Sequence, residues 1–359
     1  LAEAAPQSET VELIGSADAI RADWDALADR TGAALFLRPG WIEPWLEAFC
    51  RGEPAYLVAR REGRLAGVLP LESRLGTLIS AANWHTPLYG PVVEDERAAG
   101  AIARGLIEHA GRRADLWCLD PRAPGLAQLS AAAADAGYRT IVRTIARSPY
   151  VALEGSFDEF MAGRDRKFRK DIGRRWRRLE EAGGSVRFEA GSAELDELLS
   201  DGFRLEASGW KGEQGSAINS IPEIERFYRR VAHWAAERGW LRLAFLCVED
   251  RRVAFDLAFE DGGALYVPKG GFDVDYRSLG PGQLLTYAGI RRAFEAGLRS
   301  YELLGQQDEY KRQWTDATRE LLRCQAFPRS PGGSTTYLAW RYGRPLVQRI
   351  RGAGREEPV

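Results

Sequence analysis

Apolar residues recur along this chain with two periods, and the switches between them mark out short strands and amphipathic helices. Residues 11–14 read as a strand. A helical pattern follows over 17–28 with Ser16 in the capping position. A second, over 39–50, places Trp41, Trp45 and Phe49 at i, i+4 and i+8, the spacing of a buried helix face. Residues 56–59 and 66–71, joined by Glu62-Gly63-Arg64, form a hairpin. After a region carrying Trp84, His85, Pro87 and Pro91 come a helix over 97–112, a strand over 115–119, a helix over 125–136 and a strand around 138–144. The pattern then predicts one helix over 157–182, a strand at 186–189 and helices at 194–206 and 224–238. A hairpin of 241–248 and 253–260 turns at Glu249-Asp250-Arg251. An apolar strand from Ala264, a helix beyond Gly282 and a strand at 301–305 complete it.

The two halves follow one plan. Arg64-Leu-Ala-Gly-Val and Arg252-Val-Ala-Phe-Asp hold equivalent places in their hairpins, about 188 residues apart. Duplication is the economical explanation. The expected architecture is α/β (α+β) in two domains, 1–148 and 149–330, meeting near Pro149, with a basic tail over 331–359.

Composition narrows the class. A chain of 359 residues with net charge −1 has no global field that marks a nucleic-acid binder. Cys50, Cys118, Cys247 and Cys324 lie far apart in apolar runs without metal-ligand spacing, as reduced thiols of a cytoplasmic protein do. No metal is expected. His85, His109 and His233 do not cluster, and no leader pattern or membrane-length apolar run is visible. A Gly-x-Ser-x-Gly elbow and a Gly-Lys-Ser/Thr phosphate loop are both missing, which disfavours a hydrolase and an ATP-using ligase.

The chemistry concentrates between Ala264 and Trp314. Arg277-Ser278-Leu279-Gly280-Pro281-Gly282 stands where a strand gives way to a helix. Pro281 suits the first helical turn and the glycines permit close approach of a ligand. The amides of Gly282, Gln283 and Leu284 are then expected to point outward at the positive end of the helix dipole, an arrangement that binds phosphate or diphosphate. Pro268-Lys269-Gly270-Gly271 interrupts the preceding strand. It reads as a bulge or close backbone approach, or simply as an edge-strand kink. In 253–259 the bulky residues alternate onto one face, leaving Asp256 between alanines on the other, either a satisfied buried acid or a site residue. Glu206 closes a helix before Gly209-Trp210-Lys211-Gly212, as the acid beside an acceptor-side lid or as a solvated helix end.

An ordered set of segments carries a resemblance. It comprises Leu205-Glu-Ala-Ser-Gly-Trp-Lys-Gly212, the strand from Tyr266 to Tyr276, Leu279-Gly-Pro-Gly282, and Leu304-Gly305 followed by Asp308-x-Tyr310-Lys311-x-x-Trp314. Together these resemble the GNAT acyltransferase superfamily, and within it the CelD/BcsL-like acetyltransferases related to the Fem-type tandem-GNAT transferases. The resemblance covers roughly residues 145–330. It implies two tandem GNAT-like domains, each a mixed, mostly antiparallel sheet flanked by helices. The first would be degenerate, since its corresponding loop, 84–91, has no Arg-x-x-Gly-x-Gly. Acetyl-CoA or another acyl-CoA is the implied co-substrate. Arg277, Ser278, Leu279, Gly280, Gly282 and Gln283 would hold its diphosphate, and the pantetheine arm would lie along the strand break. Tyr310 stands where GNAT enzymes place a tyrosine that protonates the departing thiolate. Trp210, Lys211, Tyr266, Asp308 and Lys311 would face the acceptor. Lys269 and Lys311 are binders of an anionic acceptor or of CoA phosphates, or surface lysines. Many GNAT enzymes carry a glutamate base on the strand where this chain has Lys269, so Asp256, Glu206 and a substrate-assisted route all stay open.

A run of nine basic residues between Arg164 and Arg178 shares a helix with the apolar stripe Phe168, Ile172, Trp176 and Leu179. It reads as a solvated face, a clamp for an anionic acceptor or CoA phosphates, a contact to an acidic membrane surface, or a seat for tRNA, the donor that Fem-type relatives use. The expected activity is acyl-CoA-dependent N-acylation of a small molecule, sugar or cell-envelope precursor, in the cytoplasm or peripheral to the inner face of the membrane. Aminoacyl-tRNA-dependent transfer and a non-catalytic binding protein are the alternatives.

Overall fold

The structure is a computed structural model and describes residues 9–122, 124–190, 194–208 and 218–343. The chain divides into two compact units, Leu1–Ala146 with Glu320–Val359, and Arg147–Arg319. In chain order the first unit begins with β1 (Glu9–Ile14), α1 (Arg21–Thr31), α2 (Pro39–Phe49), β2 (Glu53–Arg61), β3 (Arg64–Arg74), β4 (Thr77–Ser80) and β5 (Val92–Val93). It continues with α3 (Glu96–His109), β6 (Arg113–Leu119), α4 (Leu126–Asp135) and β7 (Arg139–Ala152), whose residues from Arg147 onward belong to the second unit. The second unit holds α5 (Phe157–Ala162), α6 (Arg166–Glu181), β8 (Gly184–Glu189), α7 (Leu195–Ala207), α8 (Pro222–Glu237), β9 (Leu241–Val248), β10 (Arg251–Asp261), β11 (Ala264–Phe272), α9 (Pro281–Glu295), β12 (Ser300–Glu302) and α10 (Glu309–Arg312). Strand β13 (Thr318–Phe327) then returns to the first unit, where it pairs with β6, and α11 (Pro331–Leu338) follows.

Each unit is a mixed, mostly antiparallel sheet flanked by helices. Their strand orders are β1-β2-β3-β4-β6-β13 and β12-β11-β10-β9-β8. One parallel pair stands in each, β4 with β6 and β11 with β12. The two pairs repeat at a constant offset of 187 residues: Thr77↔Arg113 in the first unit corresponds to Ala264↔Ser300 in the second. The same offset relates the left-handed residues Glu62 and Glu249, Leu75 and Gly262, Gly76 and Gly263, and Cys118 and Gly305. Positive φ is rare for non-glycine residues. Its recurrence at matched positions is therefore an internal record of one backbone used twice.

Two predicted helices start or break elsewhere. The first begins at Arg21, because Ser16 bonds Asp18 through both the carboxylate and the backbone N–H and closes a local turn instead of capping a helix. The helix predicted over 157–182 is two. Asp165 accepts from the N–H groups of Lys167 and Phe168, and that cap starts α6 afresh after the break at Gly163 and Arg164. Its apolar stripe, Phe168, Ile172 and Leu179, is buried, with Phe168 edge-on to the fully buried Trp314 at 4.8 Å. Trp41 and Trp45 are buried as their spacing predicts.

Candidate functional site

The second unit's sheet splits at the parallel pair. Pairing of β11 with β12 ends at Tyr266↔Glu302, yet β11 continues to Phe272. Between Tyr266 and Lys269, β11 fits two residues against the single Ala258 of β10, a bulge that turns its edge. Beyond Glu302 the other strand leaves through Leu304 and Gly305, both left-handed at φ 54° and 63°. From Val267 onward, one edge of β11 therefore has no strand partner among the described residues.

The two glycines on that strand have separate causes. A Cβ on Gly270 would meet Asp256 Oδ1 at 2.2 Å, and one on Gly271 would meet Glu206 Cα at 2.3 Å. Adjacent residues of a strand face opposite ways, so Asp256 and Glu206 lie on opposite faces of the sheet. The two candidate bases do not converge. Gly271 lets α7 lie directly on the strand, a close approach of backbone to backbone.

Asp256 shares its face with two phenols. It helps to raise the pKa of Tyr301 and of Tyr310, in each case behind the larger effect of burial. Tyr310 is 48% exposed as a residue, but its hydroxyl is crowded enough, with Asp308 and Asp256 near, that the proton is held above the ordinary tyrosine range. Tyr301 was not singled out in the sequence, where it reads as one apolar position of a strand. An apolar cleft bounded by Ala258, Leu265, Val267, Gly289 and Tyr301 continues this face beneath α9.

On the other face Glu206 is 2% exposed and accepts from the N–H of Ile218, so it is no solvated helix end. Tyr228 of α8 lies close enough for Glu206 to raise its pKa, after burial. Lys269 stands 5.4 Å over the Tyr228 ring, on the α7 side of the strand. That position corrects its assignment to CoA phosphates, because α9 packs on the opposite face. Trp210 and Lys211 lie outside the described residues. Glu302, buried and paired with Arg319 at 2.8 Å, also escaped sequence reasoning.

At the head of α9, Gly280 is left-handed at φ 68° and serves as N-cap. Its carbonyl accepts from both Gln283 N–H (3.0 Å) and Leu284 N–H (3.2 Å). The expectation of three outward amides is thereby corrected: Leu284 is the fourth helical residue, whose amide bonds the N-cap in any helix, and Gln283 shares that acceptor. The Gly282 amide has no partner among the described residues, and a Cβ there would touch nothing within 4 Å. The Gln283 side chain is also engaged, donating to Gln313 and accepting from Trp314 Nε1 at 2.7 Å. Arg277 and Ser278 are exposed on the short 3₁₀ turn Val274–Leu279, while Leu279 is half-buried. The guanidinium of Arg175 lies against Gly280, where a Cβ would meet its Nη1 at 1.9 Å. Asp171 holds Arg175 Nε at 2.6 Å. A cation at the positive end of a helix is repelled by the dipole, so this pair of features favours an anion between them.

Lys311 is 6% exposed. Its Nζ donates to the carbonyls of Leu304 (2.7 Å) and Gln306 (3.0 Å) and stands 3.7 Å from Asp308. It locks the left-handed turn after β12, which corrects its assignment as a substrate-binding cation. Asp308 caps α10 with its backbone, and Tyr266 is the half-buried last pair before the split. Along α6, Arg166, Lys167, Arg169, Lys170, Arg177 and Arg178 are exposed and make no ion pair among the described residues. Arg164 does not belong to that face, since it donates to Trp314 O.

The first unit closes the corresponding crevice with its own chain. Tyr89 N–H donates to Cys118 O at 2.9 Å, Tyr89 bridges to Leu119, and its buried hydroxyl donates to Pro70 O. Ser80 Oγ accepts from Trp117 N–H at 2.9 Å. No helix among the described residues is long and apolar enough to cross a membrane, and no cluster of metal-ligating side chains occurs among them.

Residues 166–312 match the family model described as an acetyltransferase (GNAT) domain. No curated protein sequence matches the chain. Among solved structures, FemX superposes with a TM-score of 0.61 at 11% identity, over 95% of this chain and 100% of that one. The C-terminal domain (DUF2156) of a protein described as a lysylphosphatidylglycerol synthetase from Agrobacterium fabrum gives 0.54 at 13% identity, over 88% and 96%. L-PGS from Bacillus licheniformis gives 0.53 at 15% identity, over 84% and 96%. At such identities the likeness is one of fold. Residues 166–312 thus match an acetyltransferase (GNAT) domain, and the chain as a whole shares its fold with FemX.

Proposed function

We propose that the second unit is an N-acyltransferase that moves an acyl group from a CoA thioester to an amine of a small molecule, sugar or cell-envelope precursor. The observation that carries this reading is the split at which β12 leaves β11 after Tyr266, beside a helix N-terminus with an open Gly282 amide and the Arg175 guanidinium against Gly280. Those features fit a pantetheine arm and a diphosphate. Acyl-CoA supplies an acyl carbon activated as a thioester. Gly282 N–H, Arg175 and the exposed Arg277 hold the diphosphate, and the β11 edge pairs with the amides of the arm. Asp256 takes the proton that the attacking amine must lose, and Tyr310, kept protonated by its raised pKa, gives one to the leaving thiolate. Glu206 orders the acceptor side through Ile218. The first unit, its crevice filled at Tyr89, takes no donor.

A second reading, aminoacyl-tRNA-dependent transfer, is favoured by the exposed cations of α6 and by the Fem-type resemblance. The same face could rest on an acidic membrane, with the protein working on its cytoplasmic side. Calorimetric titration with acetyl-CoA separates the donors. Binding of one equivalent, weakened about 10- to 150-fold by Arg175→Ala but leaving pantetheine affinity unchanged, supports the first. Absence of acetyl-CoA binding, with a steeply salt-dependent complex to charged tRNA that weakens on Arg169→Ala and Arg177→Ala, supports the second. If Asp256→Asn and Tyr310→Phe leave every turnover rate unchanged, the domain is a binding protein.

A further inference from the structure

The apolar cleft of the second unit is held open by small residues on both of its walls. Gly289, Ala293 and Ala296 follow one another at i, i+4 and i+7 along α9, and Ala258 of β10 lines the cleft from the sheet. On β10 the residues of this face are Asp256, Ala258 and Glu260, spread over about 13 Å of strand. Asp256 stands opposite Gly270, past the split, and Glu260 stands opposite Leu265, inside the paired stretch, where Arg242 holds it at 2.9 Å. The cleft therefore runs from the place where β12 leaves β11 back beneath α9. The first unit keeps a cleft 187 residues earlier, but there Leu69, Ile102 and Leu106 stand where the second unit has Asp256, Gly289 and Ala293.

Small residues alone fix no ligand, and packing accounts for one of them, since a Cβ on Gly289 would meet the Tyr301 hydroxyl at 2.9 Å. That phenol points to a ligand. Tyr301 is 2% exposed and reaches from β12 to Gly289 at the cleft wall, and its hydroxyl has no hydrogen-bond partner among the described residues. Buried hydroxyls are normally satisfied, and one left alone among apolar groups costs free energy. Burial first, then Asp256 and Tyr310, holds its proton well above the ordinary tyrosine range, so the group acts as a donor. It asks for an oxygen acceptor on a ligand that is otherwise apolar.

Resting on the acyl-CoA reading of this unit, we propose that the cleft receives the acyl chain of the donor, that the chain is longer than acetyl, and that it carries a hydroxyl or keto oxygen that accepts from Tyr301. Tyr301 is then a specificity-determining residue and takes no part in proton transfer. The test is calorimetric titration of the whole chain with acetyl-CoA, butyryl-CoA and 3-hydroxybutyryl-CoA. 3-Hydroxybutyryl-CoA is expected to bind at least tenfold tighter than acetyl-CoA and about five- to tenfold tighter than butyryl-CoA. Tyr301→Phe keeps the ring and should erase the second difference, with little change in the ligand-free thermal midpoint. Ala293→Leu fills the cleft and should erase the first. Binding of all three thioesters with equal affinity would overturn the acyl-chain site and leave the donor reading in place. An unchanged preference in Tyr301→Phe would overturn the role of the phenol. Failure of every thioester to bind would defeat the donor reading itself, and this site with it.

Discussion

Gly282→Ala separates ligand chemistry from stability, because the structure gives the two effects opposite signs. Gly282 is the second residue of α9, has an ordinary helical φ, and a Cβ placed on it meets no protein atom within 4 Å. Alanine therefore costs no contact and loses less backbone entropy than glycine. A gain of about 0.5 kcal/mol is expected, since the first turn realises only part of the ~1 kcal/mol seen in helix interiors. That raises the thermal midpoint by roughly 1–2 °C. The same methyl occupies the space through which an oxyanion reaches the Gly282 amide. Losing one charge-assisted hydrogen bond costs about 1.5–3 kcal/mol, so CoA affinity should fall about 10- to 150-fold. Thermal unfolding and calorimetric titration on one preparation check both halves. A variant that is as stable as expected yet binds CoA within twofold of wild type refutes the idea that this amide holds a phosphate.

Gly271→Ala should do the reverse, lowering stability by about 1–3 kcal/mol, because its Cβ meets the backbone of Glu206 and Leu205 and backbone cannot step aside; a urea midpoint equal to wild type would contradict that packing. Tyr310→Phe should lower kcat by about 10²–10⁴ with KM little changed. The raised pKa of this phenol also predicts that it causes no alkaline fall in wild-type kcat up to pH 10, which a pH–rate profile checks. Asp95, bonded to Arg61 and capping α3 at Ala98 N–H, has its pKa lowered to about 2. A depressed carboxylate stabilises the fold above its unfolded pKa of about 3.9, and the contribution disappears as pH falls from 4 to 2. With the side chain partly exposed the effect is about 1 kcal/mol, so Asp95→Asn should lower the urea midpoint at pH 7 and flatten its fall across that window.

What local periodicity encodes was legible. The alternation that set Asp256 apart from Val253, Phe255, Leu257 and Phe259 is the observed pattern of faces, and the apolar stripe of α6 is the one buried. Local chemistry with two uses was misread. Ser16 can cap a helix or close a turn on Asp18, and nothing in the adjacent residues decides which. Asp165 inside a helical run reads as one more polar position until its side chain is seen taking two amides. Contacts between distant residues left no local trace. Arg323 meets Asp115 across 208 positions and Trp314 reaches Gln283 across 31. Lys311 looked like a cation for substrate because its partners are carbonyls, which the identity of neighbouring side chains does not reveal.

The duplication explains why a loop motif alone was an incomplete guide. Both units keep the short parallel pair and the left-handed turn beyond it, so both backbones open a crevice at the same place. What differs is what meets the exposed strand edge. In the first unit a chain carrying Tyr89 donates to Cys118 O and buries its ring, and that backbone satisfies the edge at no cost in ligand. In the second unit, Pro268 and the bulge leave β11 without a strand partner on that side, and the loop after it turns into a helix with an open amide. An unpaired strand edge is otherwise a liability that folded proteins cover. A β11 edge that no described strand covers stands in the half that carries the glycine loop, and the half that lacks the loop closes its own; this contrast is the physical ground for the proposal that the second unit holds the donor.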